Sequence, residues 1–246
     1  MPTKYRDLIT VLVLSSPIPS HPDTRIIDET IARVRYHLPD SRIIILQDGI
    51  RPEQLDHEAT YNIYFRKLAI QAVNGQYGDV KLWPFAEYTH QAGMMMRAIE
   101  DVSTPLILFQ EHDVPIMERP IDWEMLCDVV NRGVTNCVRL HYDEQIHADH
   151  QHLMHGKLTD NLIKTTQFHA RPHLALTHWY EQLLGNNFTT KSRCFVEDVA
   201  YSPISWSDWS AYRCCVYDPN GDGKLMKRSY DLNGRGGEPK YDQIFR

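Results

Sequence analysis

Glu111 and Asp113 close an apolar run, Leu106-Ile-Leu-Phe-Gln-Glu-His-Asp. In extended chain, side chains at i and i+2 point the same way, so the two carboxylates share a face. Paired hard oxygens suit Mg²⁺ or Mn²⁺, which keep coordination positions open for substrate phosphates. The plainer alternative is a solvated strand end. A second acidic pair, Glu197–Asp198, follows Phe195-Val196. A carboxylate within hydrogen-bond reach of a hydroxyl can act as its general base. A capped helix start is the competing reading. Asp48, with Gly49, ends the run Arg42 to Gln47. Ser15 to Asp23 holds Pro17, Pro19 and Pro22, which would fix a loop in shape. That loop runs into a helix N-terminus, where free N–H groups favour an anion.

Other clusters carry less. His147, His150, His152 and His155 put four imidazoles within nine residues. Zinc is conceivable there, but no known ligand spacing matches and no cysteine is near. A polar loop is the better reading. Asp218 to Gly223 matches the first half of an EF-hand loop, but Ser229 stands where a bidentate Glu belongs, so a polar turn is expected. Trp206, Trp209 and Tyr212 suit either ring stacking on a sugar or base, or core packing. Lys224, Lys227, Arg228 and Arg235 form the only local basic run. The five cysteines are odd in number and lack C-x-x-C spacing, which favours reduced thiols in a cytoplasmic protein over a disulfide framework.

The elements that must hold these residues alternate. Residues 10–16 and 42–47 read as buried strands. Between them Ile27, Ile31, Val34 and Leu38 recur at helical spacing, with Ser20 as a plausible N-cap. Residues 57–74 and 87–102 look helical, and 80–83 and 104–110 read as strands. Trp123, Leu126, Cys127 and Val130 form an apolar helical stripe, and 134–142 alternates like a strand with one polar face. Such alternation implies a mostly parallel, helix-covered sheet with ligands at the carboxyl ends of its strands. The second half is less regular: a loop over 143–160, a strand over 161–168, a helix over 174–184 and an irregular tail.

Length and composition bound the answer. At roughly 150 residues per domain, 246 residues fit one large α/β domain. The net charge of −6 argues against a protein that coats nucleic acid. With 42% hydrophobic residues the chain can bury a core, which excludes disorder. No apolar stretch approaches a membrane span, and the N-terminus does not read as a signal peptide.

The order strand, loop, helix, strand with Asp-Gly, short strand, helix, apolar strand, acid-x-acid resembles the GT-A fold of nucleotide-sugar glycosyltransferases, family-2-like members above all. The resemblance spans about residues 8–200. It implies a single GT-A-like α/β domain over 1–246, with a nucleotide-sugar half (1–142), an acceptor half (143–210) and a tail or lid (211–246). It implies that Ser15, Pro17 and His21 of the first loop hold the nucleoside with Asp48, and that Arg97 meets a phosphate. Glu111 would contact metal or ribose, and Asp113 would hold Mn²⁺ or Mg²⁺. Glu111 replaces the Asp common at the first acid. Asp198, with Glu197 second, would be the base of an inverting transfer. Many relatives use a C-terminal histidine as a further ligand. None follows His178, so either His169, His173 or a tail acid such as Asp231 is the expected substitute, or fewer protein groups hold the metal.

The implied function is transfer of a sugar from UDP- or GDP-sugar to a hydroxyl of a protein, a small molecule or a modified DNA base, without a membrane partner. A sugar-nucleotide nucleotidyltransferase is disfavoured, because Ser15 to His21 has neither glycine nor a basic residue. A non-catalytic carbohydrate- or protein-binding module is the competitor from another class.

Overall fold

The computed structural model describes residues 5–140, 146–188, 193–222, 229 and 232. Its core begins with β1 (Ile9–Ser15), whose seven residues are all buried. Burial on both faces is what a central parallel strand requires, and it explains the unbroken apolar run. β1 pairs in parallel with β2 (Arg42–Gln47) on one side and β4 (Leu106–Glu111) on the other, and β3 (Val80–Pro84) adds to β2. The remaining strands are β5 (Cys137–Arg139), β6 (Met154–Thr159), β7 (Leu162–Thr165), β8 (His173–Leu176) and β9 (Cys214–Tyr217). Among the described residues the sheet order is β3-β2-β1-β4-β8-β5-β9-β7-β6. It is parallel through the first four strands. β8 then runs antiparallel to both β4 and β5, and β7 runs antiparallel to β6 and β9.

Helices cover both faces. α1 (Arg25–His37), α2 (Glu58–Val73) and α4 (Trp123–Asn131) contribute Ile27, Val34, Leu68, Leu126 and Val130 to one core, against Val11 and Val13 of β1. α3 (His90–Ile99), α5 (Thr177–Asn187) and α6 (Val196–Ser205) contribute Met95, Ala98, Tyr180, Leu184 and Ile204 to the other, against Leu12 and Leu14. Successive residues of β1 thus serve opposite layers. α7 (Trp209–Tyr212) leads into β9.

Several expectations are corrected. α1 begins at Arg25 behind Thr24, so Ser20 is not its cap. The helix expected over 87–102 is α3, ten residues long. Residues 148–153 form a 3₁₀ turn and 154–159 the edge strand β6, where a loop was expected. His173–Leu176 is a strand, and the helix expected over 174–184 starts at Thr177. The short apolar run His-Leu-Ala-Leu does not by itself separate strand from helix. β5 is buried throughout, Arg139 included, with no solvent-exposed face. Cys214–Tyr217, expected in the tail, lies inside the sheet between β5 and β7. The basic residues Lys224, Lys227, Arg228 and Arg235, and Asp231, lie outside the described residues.

Candidate functional site

The carboxyl ends of β1, β2 and β4 and the start of α3 enclose a cavity of about 310 Å³. Ser15, Ser16, Pro17, Asp48, Glu111 and Asp113 line it, as expected from sequence. His90, Gln91, His112 and Phe195 line it as well, together with Arg51, which no sequence motif marked.

Each acid has a distinct setting. Asp48 is buried, and its Oδ1 accepts from Gly49 N (2.9 Å) and Thr89 N (2.7 Å), its Oδ2 from His90 N (3.0 Å). The carboxylate thereby fixes the start of α3, where His90 has φ +65°. Burial pushes the Asp48 carboxyl up despite the opposing N–H donors and Arg51. Two carboxylate oxygens offer about four acceptor positions, so room for one further donor remains. Tyr61 Oη–H donates to the Asp48 carbonyl (2.5 Å), bracing the same turn.

Glu111 ends β4. Its Oε1 accepts from Gln91 Nε2 (3.1 Å) and its Oε2 lies 3.9 Å from the Arg171 guanidinium. Gln91 Oε1 in turn accepts from Val196 N (2.9 Å), which ties the first acid to the Glu197–Asp198 turn. Asp113 is 8% exposed, and its carboxylate lies 4.0 Å from His112 Nδ1. That nitrogen is 3.0 Å from the Leu14 carbonyl, which only a ring N–H can satisfy. Asp113 is therefore a nearly buried carboxylate facing a cavity, and among the described residues no Lys or Arg pairs with it. Burying an uncompensated carboxylate is costly, and a divalent cation would compensate it. The hard oxygens of Glu111 and Asp113 are of the kind such an ion takes. No group of three or more His, Cys, Asp or Glu that could hold a metal exists among the described residues.

Other expected residues fall elsewhere. His21 stacks on Tyr64, 3.7 Å between ring centroids, beneath the first loop and outside the cavity lining. Burial, helped by nearby His112, pushes its pKa down to about 3, so it is neutral. Arg97 lines a separate cavity of about 180 Å³ with Tyr88, Phe188 and Arg193. His169 does not join Asp113. Its Nδ1 lies 3.2 Å from Glu197 Oε2, in another cavity of about 430 Å³ lined also by His150, Gln167, Asp198 and Tyr201. His173 is buried in the core at β8. Asp198 Oδ2 accepts from Phe195 N (2.9 Å), closing the first turn of α6.

The weaker motifs resolve as structure. His147 engages Asp149 N (3.4 Å), His150 Gln167 (2.8 Å) and His155 Thr166 (2.9 Å). Asp218 Oδ1 accepts from Gly221 N (3.1 Å) in a tight turn. Trp209 Nε1 donates to the Cys214 carbonyl (2.7 Å), while Trp206 is 87% exposed. All five cysteines are free. From the C-terminal segment, Leu232 N donates to the Asp113 carbonyl (2.8 Å), and its side chain packs with Ile18 and Ile26 beside the cavity.

The mixed sheet, its two helical layers and the acids at the end of β4 define a GT-A fold. Solved structures with that fold include the mannosyltransferase PcManGT from Pyrobaculum calidifontis in complex with GDP-Man and Mn²⁺, at 14% identity and TM-score 0.56, covering 90% of this chain and 60% of that one. S. aureus TarS 1–349 aligns at 10% identity and TM-score 0.57, over 91% of this chain and 60% of that one. GalNAc-T7 with UDP, GalNAc and Mn²⁺ aligns at 10% identity and TM-score 0.57, over 94% of this chain and 45% of that one. The chain thus spans between about half and three fifths of the length of these structures. No family model and no curated protein matches it. Among the described residues no helix is long and apolar enough to cross a membrane.

Proposed function

We propose that the protein is a glycosyltransferase that moves a sugar from a UDP- or GDP-sugar to an acceptor hydroxyl with inversion. The observation that carries this reading is the nearly buried Asp113 carboxylate beside Glu111 in the cavity of a GT-A fold. Neighbours of the same fold were solved with GDP-Man, or with UDP and GalNAc, and with Mn²⁺.

In this reading the β1 loop (Ser15, Ser16, Pro17) holds the nucleoside beside Asp48, and Arg51 faces the diphosphate. Asp113 and Glu111 would hold Mn²⁺ or Mg²⁺, which offsets the charge growing on the leaving nucleotide. Gln91 and Arg171 keep Glu111 oriented toward the cavity. Phe195 lines the donor cavity while Glu197 and Asp198 line the one of about 430 Å³, so the 195–198 turn separates the two. The acceptor enters by the second cavity and its proton leaves toward that turn. A protein, a small molecule and a modified DNA base all offer such a hydroxyl.

Thermal shift with UDP, GDP and their sugars, with and without Mn²⁺, tests the reading. We expect nucleotide and Mn²⁺ together to stabilise the protein by about 2–3 kcal/mol at a hundredfold excess over Kd. Asp113→Ala should abolish the Mn²⁺-dependent part. No response to any nucleotide–metal pair would instead support a binding module.

A further inference from the structure

We propose that the group that takes the acceptor's proton is the imidazole of His169, held by Glu197, rather than a carboxylate of the acidic pair. The inference rests on the glycosyltransferase reading and assigns the base within it.

Four observations lead there. First, the ring faces the right space: His169 lines the second cavity, and its side chain is 40% exposed. Second, the ring is held. Its Nδ1 lies 3.2 Å from Glu197 Oε2, and the same oxygen accepts from Ala170 N at 3.4 Å. Burial raises the Glu197 pKa, but the His169 hydrogen bond and charge, the Ala170 N–H and Arg139 outweigh it and hold the carboxyl below the usual range. An ionised Glu197 can only accept, so Nδ1 carries a ring proton, and in the neutral ring Nε2 presents its lone pair. A carboxylate that fixes the tautomer of an imidazole base is a recurring catalytic arrangement.

Third, the competing acid is engaged. Asp198 lines the same cavity, yet its Oδ2 closes the first turn of α6 on Phe195 N. Fourth, the chain leads from the ring to the other cavity. Arg171, two residues along the chain from His169, lies 3.9 Å from Glu111. At most about 7 Å of backbone separates His169 from the residue that meets that carboxylate.

The step balances without another reagent. The acceptor O–H bond breaks and its proton moves to His169 Nε2. The oxygen pair forms the new bond to the anomeric carbon. The bond from that carbon to the diphosphate breaks, and the leaving nucleotide keeps the electrons. Water can serve as acceptor, so donor hydrolysis reports the same proton transfer.

The test measures release of UDP or GDP from UDP- and GDP-sugars with Mn²⁺ by the full chain. We expect His169→Ala to lower kcat by on the order of 100- to 10,000-fold. Donor KM and the donor-induced thermal shift should not change, and free imidazole should restore part of the rate. Glu197→Gln should lose less, because the ring remains but its tautomer is no longer fixed. Wild-type turnover by His169→Ala, a matching loss of donor binding, no rescue by imidazole, or a larger loss in Asp198→Asn would each overturn the assignment. A wild-type protein that neither hydrolyses nor binds any of these donors would instead overturn the glycosyltransferase reading, and the base assignment with it.

Discussion

Asp48 and Asp113 both sit at strand ends, and their neighbours give them opposite tasks. Asp48 accepts three backbone N–H bonds, so it is part of the fold. Asp48→Ala should cost about 3 kcal/mol, since a hydrogen bond to a charged group is worth roughly 1.5–3 kcal/mol and the stranded N–H groups add a penalty. Asp48→Asn should recover part of that, because Oδ1 alone serves Gly49 and Thr89. Urea denaturation of both variants checks the order. The buried histidines set a pH dependence. Burial lowers His173 from 6.5 to about 4 and His21 to about 3. The unfolded chain therefore binds protons below pH 6.5 that the folded chain refuses. Stability is full above that value and falls with acidification. From pH 7 to pH 5 the loss should be about 2 kcal/mol per histidine, given 1.36 kcal/mol per pKa unit. Denaturant titrations at the two values measure it, and a flat profile would contradict it. At this scale the acids were legible, because a carboxylate ending an apolar run announces itself. Arg139 and Arg171 were not, since their partners Gln167 and Glu111 lie far away along the chain.

Elements were legible where one periodicity ran unopposed. β2 falls on residues 42–47 and α4 on the Trp123 stripe. Boundaries drifted where tertiary contacts set them. α3 starts at His90 because Asp48 seizes its first N–H groups, a fact no local pattern carries. β8 was misread because its four residues, His-Leu-Ala-Leu, show no alternation and run directly into a helix. Gly49 records the same meeting of elements. A Cβ there would lie 2.5 Å from Tyr88 N, against backbone that cannot step aside. Gly49→Ala should destabilise by about 1–3 kcal/mol, as overpacking does. Gly133→Ala meets no neighbour, so only its positive φ opposes the substitution. Comparing the two melts separates steric from conformational cost.

At the scale of the molecule one sheet joins everything. The parallel half carries the cavity of about 310 Å³ and the mixed half lines the one of about 430 Å³, and β8 links them by pairing with β4 and β5. Both cores draw on β1, so the halves should not unfold separately. Far-ultraviolet circular dichroism and tryptophan fluorescence should report coincident urea transitions. Two resolved transitions would show independent units. The parallel half followed from βα alternation, whereas the mixed half depends on pairings between strands distant in sequence.

The placement of β8 bears on how the chain is made. Its neighbours β4 and β5 end at residues 111 and 139, yet the strand between them is not synthesised until residue 176. During translation the middle of the sheet therefore stands open, with two apolar strand edges awaiting a partner. β9, ending at Tyr217, closes the other side of β5 later still. Unpaired edges invite association with other chains, and distant pairing slows folding. Production of this protein should thus be governed by how well nascent chains are shielded before β8 leaves the ribosome.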